Sequence, residues 1–182
     1  MSATPDEIGP MLIASLPTLR RFALSLSRQP DIADDLVQSA CERALVNAAS
    51  FTPGTRFDAW MFRIVRNLWI DRIRRTKTQA AAPIEEGEAV MGTDGEAVAI
   101  SRLELSDTGR AILMLPEEQR EVLTLVCVEG LSYAEAAAVI EAPIGTVMSR
   151  LARARTRLAA ILEEKGIKVG DGRSASKGDR TR

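Results

Sequence analysis

The chain has 182 residues, 46% hydrophobic, 27% charged and only 4% aromatic, with 12 Gly and 8 Pro, enough apolar content for one compact domain or two small ones. It contains no histidine, which excludes Ser-His-Asp and Cys-His catalysis and every histidine-ligated metal site. Its formal net charge of −1 by itself argues against a protein that coats polyanions.

The two cysteines, Cys41 and Cys127, form neither a CxxC pair nor a disulfide framework, a usage that suits a reducing compartment. Asp6 and Glu7 stand where a secretory leader would carry basic residues. The longest uncharged apolar runs, 111–115 and 123–128, are far too short to span a bilayer. These features predict a soluble cytoplasmic chain with no membrane insertion, no cofactor and no enzymatic activity. Charge is segregated along it: 11 basic against 6 acidic residues over 10–77, 2 against 7 over 78–110, 6 against 8 over 111–165, and 5 against 2 over 166–182. An acidic middle thus lies between arginine-bearing ends, and local faces matter more than the total.

Three helices are predicted in the first stretch. The first spans 10–27, with Leu12, Leu16, Leu19, Ala23 and Leu26 at helical spacing. Pro30 breaks it, and Asp31 offers an N-cap for the second. There Leu36/Val37, Ala40/Cys41, Ala44/Leu45 and Ala48 recur every four residues, with Asp34/Asp35, Gln38/Ser39 and Glu42/Arg43 between them. Phe51-Thr52-Pro53-Gly54 reads as a loop, and a third helix follows over 57–77. From 78 to 95 no period is sustained, which predicts a linker. A short helix is expected over 96–115, then another with Pro116 in its first turn and Glu117 and Glu118 facing the helix dipole. Ser132-Tyr133-Ala134-Glu135 is a capping-box pattern opening an alanine-rich helix to about 140. A tight turn at 141–144 precedes a last helix from Gly145 or Thr146 to about 164, and the tail from 166 reads as disordered. No strand signal survives, so the predicted fold class is all-α.

Three constellations could carry function. The segment 132–158 has helix-turn-helix proportions. Val147, Leu151, Ala154 and Leu158 form one stripe of its second helix, with Thr146, Ser149, Arg150, Arg153 and Arg157 turned away. An apolar back and a hydrogen-bonding front free of acid are what a recognition helix in the major groove needs. With the capped helix and turn upstream, this favours DNA binding over a merely solvated basic face. The third helix interleaves Trp60, Phe62 and Trp69 with Arg63, Arg66, Arg72, Arg74 and Arg75, after a loop bearing Phe51, Arg56 and Phe57. Aromatics beside arginines suit unpaired bases and a backbone, but a packed Trp60 and a solvated arginine face fit the same periodicity. The face of Asp34, Asp35, Gln38 and Ser39 is either a docking surface or solvated, the latter being the default for a one-sided helix. Glu85-Glu86-Glu88 lies in the linker, where no burial would tune a carboxylate for catalysis.

Several blocks together resemble a known family. Asp34-Asp35-Leu36-Val37-Gln38 and Phe57-Asp58-Ala59-Trp60-Met61-Phe62-Arg63-Ile64-Val65-Arg66-Asn67-Leu68-Trp69-Ile70-Asp71 resemble region two of extracytoplasmic function (ECF) sigma factors. Leu115-Pro116-Glu117-Glu118-Gln119-Arg120, Gly130-Leu131-Ser132-Tyr133-Ala134-Glu135-Ala136-Ala137 and Gly145-Thr146-Val147-Met148-Ser149-Arg150-Leu151 resemble their region four. Leu19-Arg20-Arg21-Phe22-Ala23 and Ala33-Asp34-Asp35-Leu36-Val37 are similar to the EcfG-like general-stress subgroup.

The resemblance implies two small helical bundles joined by a flexible acidic linker: region two over 10–77, the linker over 78–110, region four with its helix-turn-helix over 111–165, and a basic tail over 166–182. It implies an alternative sigma factor with core RNA polymerase (beta-prime and beta subunits), promoter DNA and an anti-sigma factor as partners. Asp34, Asp35, Gln38 and Ser39 would dock on the beta-prime subunit, Ser39 standing where many relatives have Glu. Phe51, Arg56, Arg63, Arg66, Asn67, Asp71 and Arg74 would open the minus-ten element and hold an unstacked base. Thr146, Ser149, Arg150, Arg153 and Arg157 would face the minus-thirty-five element, where Met148 replaces a frequent Lys or Arg. The linker would pass through the RNA-exit path, its charge imitating RNA. Promoter elements two duplex turns apart lie roughly 70 Å from each other, and 33 extended residues reach roughly 100 Å. Two other readings compete: a sigma-like decoy that sequesters an anti-sigma factor, and a simple helix-turn-helix repressor, which would leave the 34–71 block without a role.

Overall fold

The computed structural model describes residues 3–81 and 106–167, all helical or connecting, with no strand among them. Helix α1 spans Pro5–Ser27, starting earlier than its apolar period predicts. The missed signal is a capping box. Thr4 Oγ1 accepts from the Glu7 backbone N–H while Glu7 Oε2 accepts from the Thr4 N–H at 2.7 Å, and Pro5 sits at the first helical position. Pro10 and Pro17 lie inside α1. Each removes one helical hydrogen bond, but both fall on the exposed side, where water can satisfy the freed carbonyls. The buried stripe is Ile8, Leu12, Ser15, Leu19, Phe22, Ala23 and Leu26, whereas Leu16, expected in it, is 41% exposed. Arg28 ends the helix in the left-handed region at φ 60°.

Helix α2 spans Pro30–Val46 with Gln29 as N-cap and Pro30 at its first position, so Asp31 lies in the first turn instead of capping. It buries Ala33, Leu36, Val37, Ala40 and Ala44, with Cys41 half-buried beside them, whereas Leu45, expected in the same stripe, is 41% exposed. Burial pushes the Cys41 thiol up, away from reactivity. A 3-10 turn, Ala48–Ser50, leads to a loop in which Gly54 takes φ 89°. Helix α3 spans Phe57–Ala81, four residues beyond its predicted end. The three helices pack pairwise, and Phe22 of α1 meets Phe62 of α3 at 4.8 Å between ring centroids.

After residue 105 the chain forms α4 (Asp107–Leu113), capped by Ser106, then α5 (Glu117–Leu123) with Pro116 as its N-cap. The predicted linker beyond 81, the 96–105 part of the predicted helix and the tail from 168 lie outside the described residues. Helix α5 widens into a π turn, Thr124–Val128, which ends at Gly130 with φ 68°. Ser132 caps α6 (Tyr133–Ile140) through the predicted box, and Glu141 at φ 53° turns the chain into α7 (Ile144–Glu164). The start of α7 at Ile144 is one or two residues earlier than the sequence indicates, because Pro143 serves as its N-cap.

The two helical parts also pack on each other: α3 touches α6, and α1 touches α5 and the π turn. Their buried apolar residues form one continuous cluster, from Phe22, Phe62 and Val65 to Val122, Leu125, Val139 and Leu151. Arg120 of α5, only 3% exposed, lies in this seam.

Candidate nucleic-acid and partner interfaces

Helix α2 turns its apolar stripe inward, which leaves Asp34, Asp35, Gln38 and Ser39 all exposed on one face. The acids are oriented by neighbours: Arg20 Nε donates to Asp34 Oδ1 at 2.8 Å, and Arg72 Nη1 lies 3.9 Å from Asp35 Oδ2. Gln38 Nε2 donates to Glu42 Oε1 at 3.1 Å along the same helix. No other described element covers this face.

The loop before α3 and the first turns of α3 surround an open cleft of about 550 Å³. Ser50, Thr52, Thr55, Arg56, Trp60 and Arg63 line its near side, and Glu135, Ala138 and Val139 of α6 its far side. Behind the loop, Phe51, Phe57 and Trp60 form a triangle with centroid separations of 5.2, 5.3 and 5.6 Å. Phe51 and Phe57 are buried within it, and Trp60 is half-buried and reaches the cleft. Phe51 therefore braces the loop and presents no free ring face. Ser15 Oγ donates to Asp58 Oδ1 at 2.9 Å, which ties the start of α3 to α1.

The arginines expected to meet DNA here divide into two groups. Arg63 and Arg74 are exposed, with no ion pair among the described residues, while Asn67 and Asp71 are half-buried. Arg56 and Arg66 are engaged by the second helical part. Arg56 Nη1 donates to the Gly130 carbonyl at 2.8 Å and Nη2 to that of Glu129 at 2.6 Å, with Glu135 Oε2 at 3.8 Å. Arg66 Nε donates to Glu121 Oε1 at 2.6 Å, both side chains being largely buried. One turn on, Trp69 Nε1 donates to Glu117 Oε1 at 2.8 Å. Burial pushes the Glu121 carboxyl up, against the charge and hydrogen bond of Arg66. The carboxylates that meet α3 escaped sequence reasoning, because helical period gives a face but not its neighbour.

Helix α7 has the expected two sides. Val147, Leu151 and Ala154 are buried, Leu158 is half-buried, and Ser149, Arg153 and Arg157 are exposed opposite them. Thr146 is half-exposed at the N-terminal end. Arg150 differs from its neighbours, since its Nη2 pairs with Glu118 Oε1 at 2.8 Å and so fastens α7 to α5. Arg153 Nε is 3.3 Å from the Ser149 carbonyl, lying along the helix surface. Exposed Arg155, absent from the expected contacts, donates to Cys127 Sγ at 3.6 Å. No group of His, Cys, Asp or Glu among the described residues could hold a metal ion, and no described helix is long and apolar enough to cross a membrane.

Known proteins resemble this arrangement. Residues 12–79 match the family model Sigma-70 region 2, and residues 106–158 match Sigma-70, region 4. The chain is 39% identical over 157 residues to the ECF RNA polymerase sigma factor EcfG of Rhodopseudomonas palustris (strain TIE-1), covering 86% of each chain. It is 37% identical over 147 residues to the ECF RNA polymerase sigma factor SigM of Mycobacterium tuberculosis (strain H37Rv), covering 79% of this chain and 71% of that one. Among solved structures it is similar to the sigma factor RpoE of Bartonella quintana, crystallised with the anti-sigma factor NepR. That match has a TM-score of 0.68 at 35% identity and covers 86% of this chain and 97% of the other.

Proposed function

As a member of the ECF family of RNA polymerase sigma factors, this chain directs core polymerase to promoters, and we propose that it does so through three surfaces. The exposed α2 face of Asp34, Asp35, Gln38 and Ser39 docks on the beta-prime subunit. The cleft before α3, with Arg56 and Arg63, and the α3 residues beyond it, Arg66, Asn67, Asp71 and Arg74, take the opened minus-ten strand, the arginines neutralising phosphates beside the Trp60 ring. Phe51 supports that loop from behind. The front of α7, comprising Thr146, Ser149, Arg150, Arg153 and Arg157, enters the major groove at the minus-thirty-five element. The observation that carries this reading is the two-sided α7, with buried Val147, Leu151 and Ala154 opposite exposed Ser149, Arg153 and Arg157.

Residues 10–77 and 111–165 act as the two promoter-reading modules and 78–110 as the span between them. The protein works in the cytoplasm, binds without covalent chemistry, and is held in check by an anti-sigma factor until a stress signal releases it. The Bartonella relative seen with NepR supports the last point. Each module alone has modest grip, and polymerase aligns the two so that their affinities multiply. The test is in vitro transcription by core polymerase over a genomic promoter library. A discrete set of start sites that requires this chain, lost in the Asp35→Lys/Gln38→Lys variant, is expected. Start sites unchanged by its addition would refute the role.

A further inference from the structure

Along one edge of its exposed side, α7 carries two large apolar side chains. Ile144 is 47% exposed and Met148 53%. Four residues apart, they lie one above the other on the helix. A single exposed apolar side chain is ordinary. Two at adjacent turns fall here in the N-terminal part of the helix, where a recognition helix reaches base edges. Polar groups at that end are few and already engaged. Arg150, the only cation among residues 144–150, pairs with Glu118 at 2.8 Å. Ser149 Oγ donates to the Thr146 carbonyl at 3.1 Å. Arg155, seven residues beyond Met148 and so on the same edge, is held at Cys127 Sγ, 3.6 Å away. The first two turns of α7 thus offer a groove hydroxyls and apolar surface, with their one arginine tethered.

We propose that Met148, with Ile144 behind it, selects thymine at one position of the minus-thirty-five element by packing against its C5-methyl group. This rests on the reading of α7 as the helix that enters that groove. Thymine alone presents an apolar group in the major groove, whereas the other three bases are marked there by donors and acceptors. A thioether has no donor and is only a weak acceptor. Set against guanine, adenine or cytosine, it strips water from a polar edge and returns no hydrogen bond. Set against the methyl group, its unbranched, polarizable chain buries apolar surface. Thymine is therefore chosen by exclusion of the other bases as well as by attraction. Arg153, five residues further along the exposed side, keeps the hydrogen-bonding share of the reading.

The test uses holoenzyme reconstituted from core polymerase and the full chain. A promoter pool randomised across the minus-thirty-five element is transcribed first, then duplexes in which single thymines are replaced by uracil, which lacks only the methyl group. One enriched thymine should respond, its replacement lowering initiation about three- to fivefold, the scale of one buried carbon. Placed at that position, 5-methylcytosine should outperform cytosine. Met148→Ala should abolish the difference between thymine and uracil, and Met148→Arg should move the preference there toward guanine. Because Met148 is exposed, both variants should keep wild-type helicity. Initiation indifferent to uracil at every position, or a thymine–uracil difference that persists in M148A, overturns the contact and leaves the promoter role intact. A loss in M148A that is equal on thymine and uracil promoters sets Met148 against protein and overturns the contact too. No chain-dependent initiation from any member of the pool refutes the promoter role and the contact together.

Discussion

Arg120 is the residue on which the seam turns. Its guanidinium reaches carbonyls of two helical parts, Ser25 and Leu26 on one side and Leu113 and Leu115 on the other. No lysine could do this, because only the planar fork carries enough fixed donors. Burial, with the nearby charge of Arg28, brings its pKa down to about 10, so it stays a cation at neutral pH. Arg120→Met would leave several buried carbonyls without a donor. It should cost about 3 kcal/mol in urea unfolding, whereas a loss within a few tenths of a kcal/mol would show that water replaces the guanidinium. In the sequence Arg120 stood inside a recognisable motif with no role attached, since a buried cation cannot be told from a solvated one by spacing.

At the scale of elements, end signals were the most legible feature where they were chemical. The Ser132 box is formed as its sequence indicates: Ser132 Oγ accepts from the Glu135 N–H at 3.2 Å, and Glu135 Oε2 accepts from the Ser132 N–H at 2.7 Å. Ser132→Ala should cost about 1 kcal/mol of stability. The backbone N–H of Ser132, and then its hydroxyl, hold the Glu135 carboxyl below its ordinary value of 4.5. A depressed carboxyl stabilises the fold above its ordinary range, and that contribution disappears as pH falls through the lowered value. Urea unfolding followed by helicity should therefore show the wild type more stable than Glu135→Gln near neutral pH, with that advantage lost as pH falls below 4.5. Equal stability of the two chains near neutral pH would mean the box contributes nothing. The same pattern at Thr4-x-x-Glu7 extends α1 past Pro10. Proline there misleads because its cost depends on whether the freed carbonyl faces water, which only the packing decides. The π turn after Leu123 left no trace in the sequence, since an extra residue per turn changes no composition.

For the whole molecule, the described apolar residues form one cluster that crosses between the two parts. Unfolding of the free chain should thus be a single cooperative transition, with calorimetric and van't Hoff enthalpies equal. Two resolved transitions would mean that the seam is not maintained in solution. The all-α class, the one-sided α2 and α7, the helix-turn-helix and the family were legible from periodicity, caps and motifs, because each is set by residues within one or two turns of each other. The reading of two modules strung on a linker foresaw their contents but not their contact. What the tertiary structure decided is which charges meet: Arg66 with Glu121 and Arg56 with Glu129 and Gly130 are 55 to 74 residues apart in the chain. A helix's own pattern specifies which side is polar and leaves open whether that side meets water, nucleic acid or the protein's own carboxylates, since all three satisfy an arginine equally well. That choice is made only when distant segments come together.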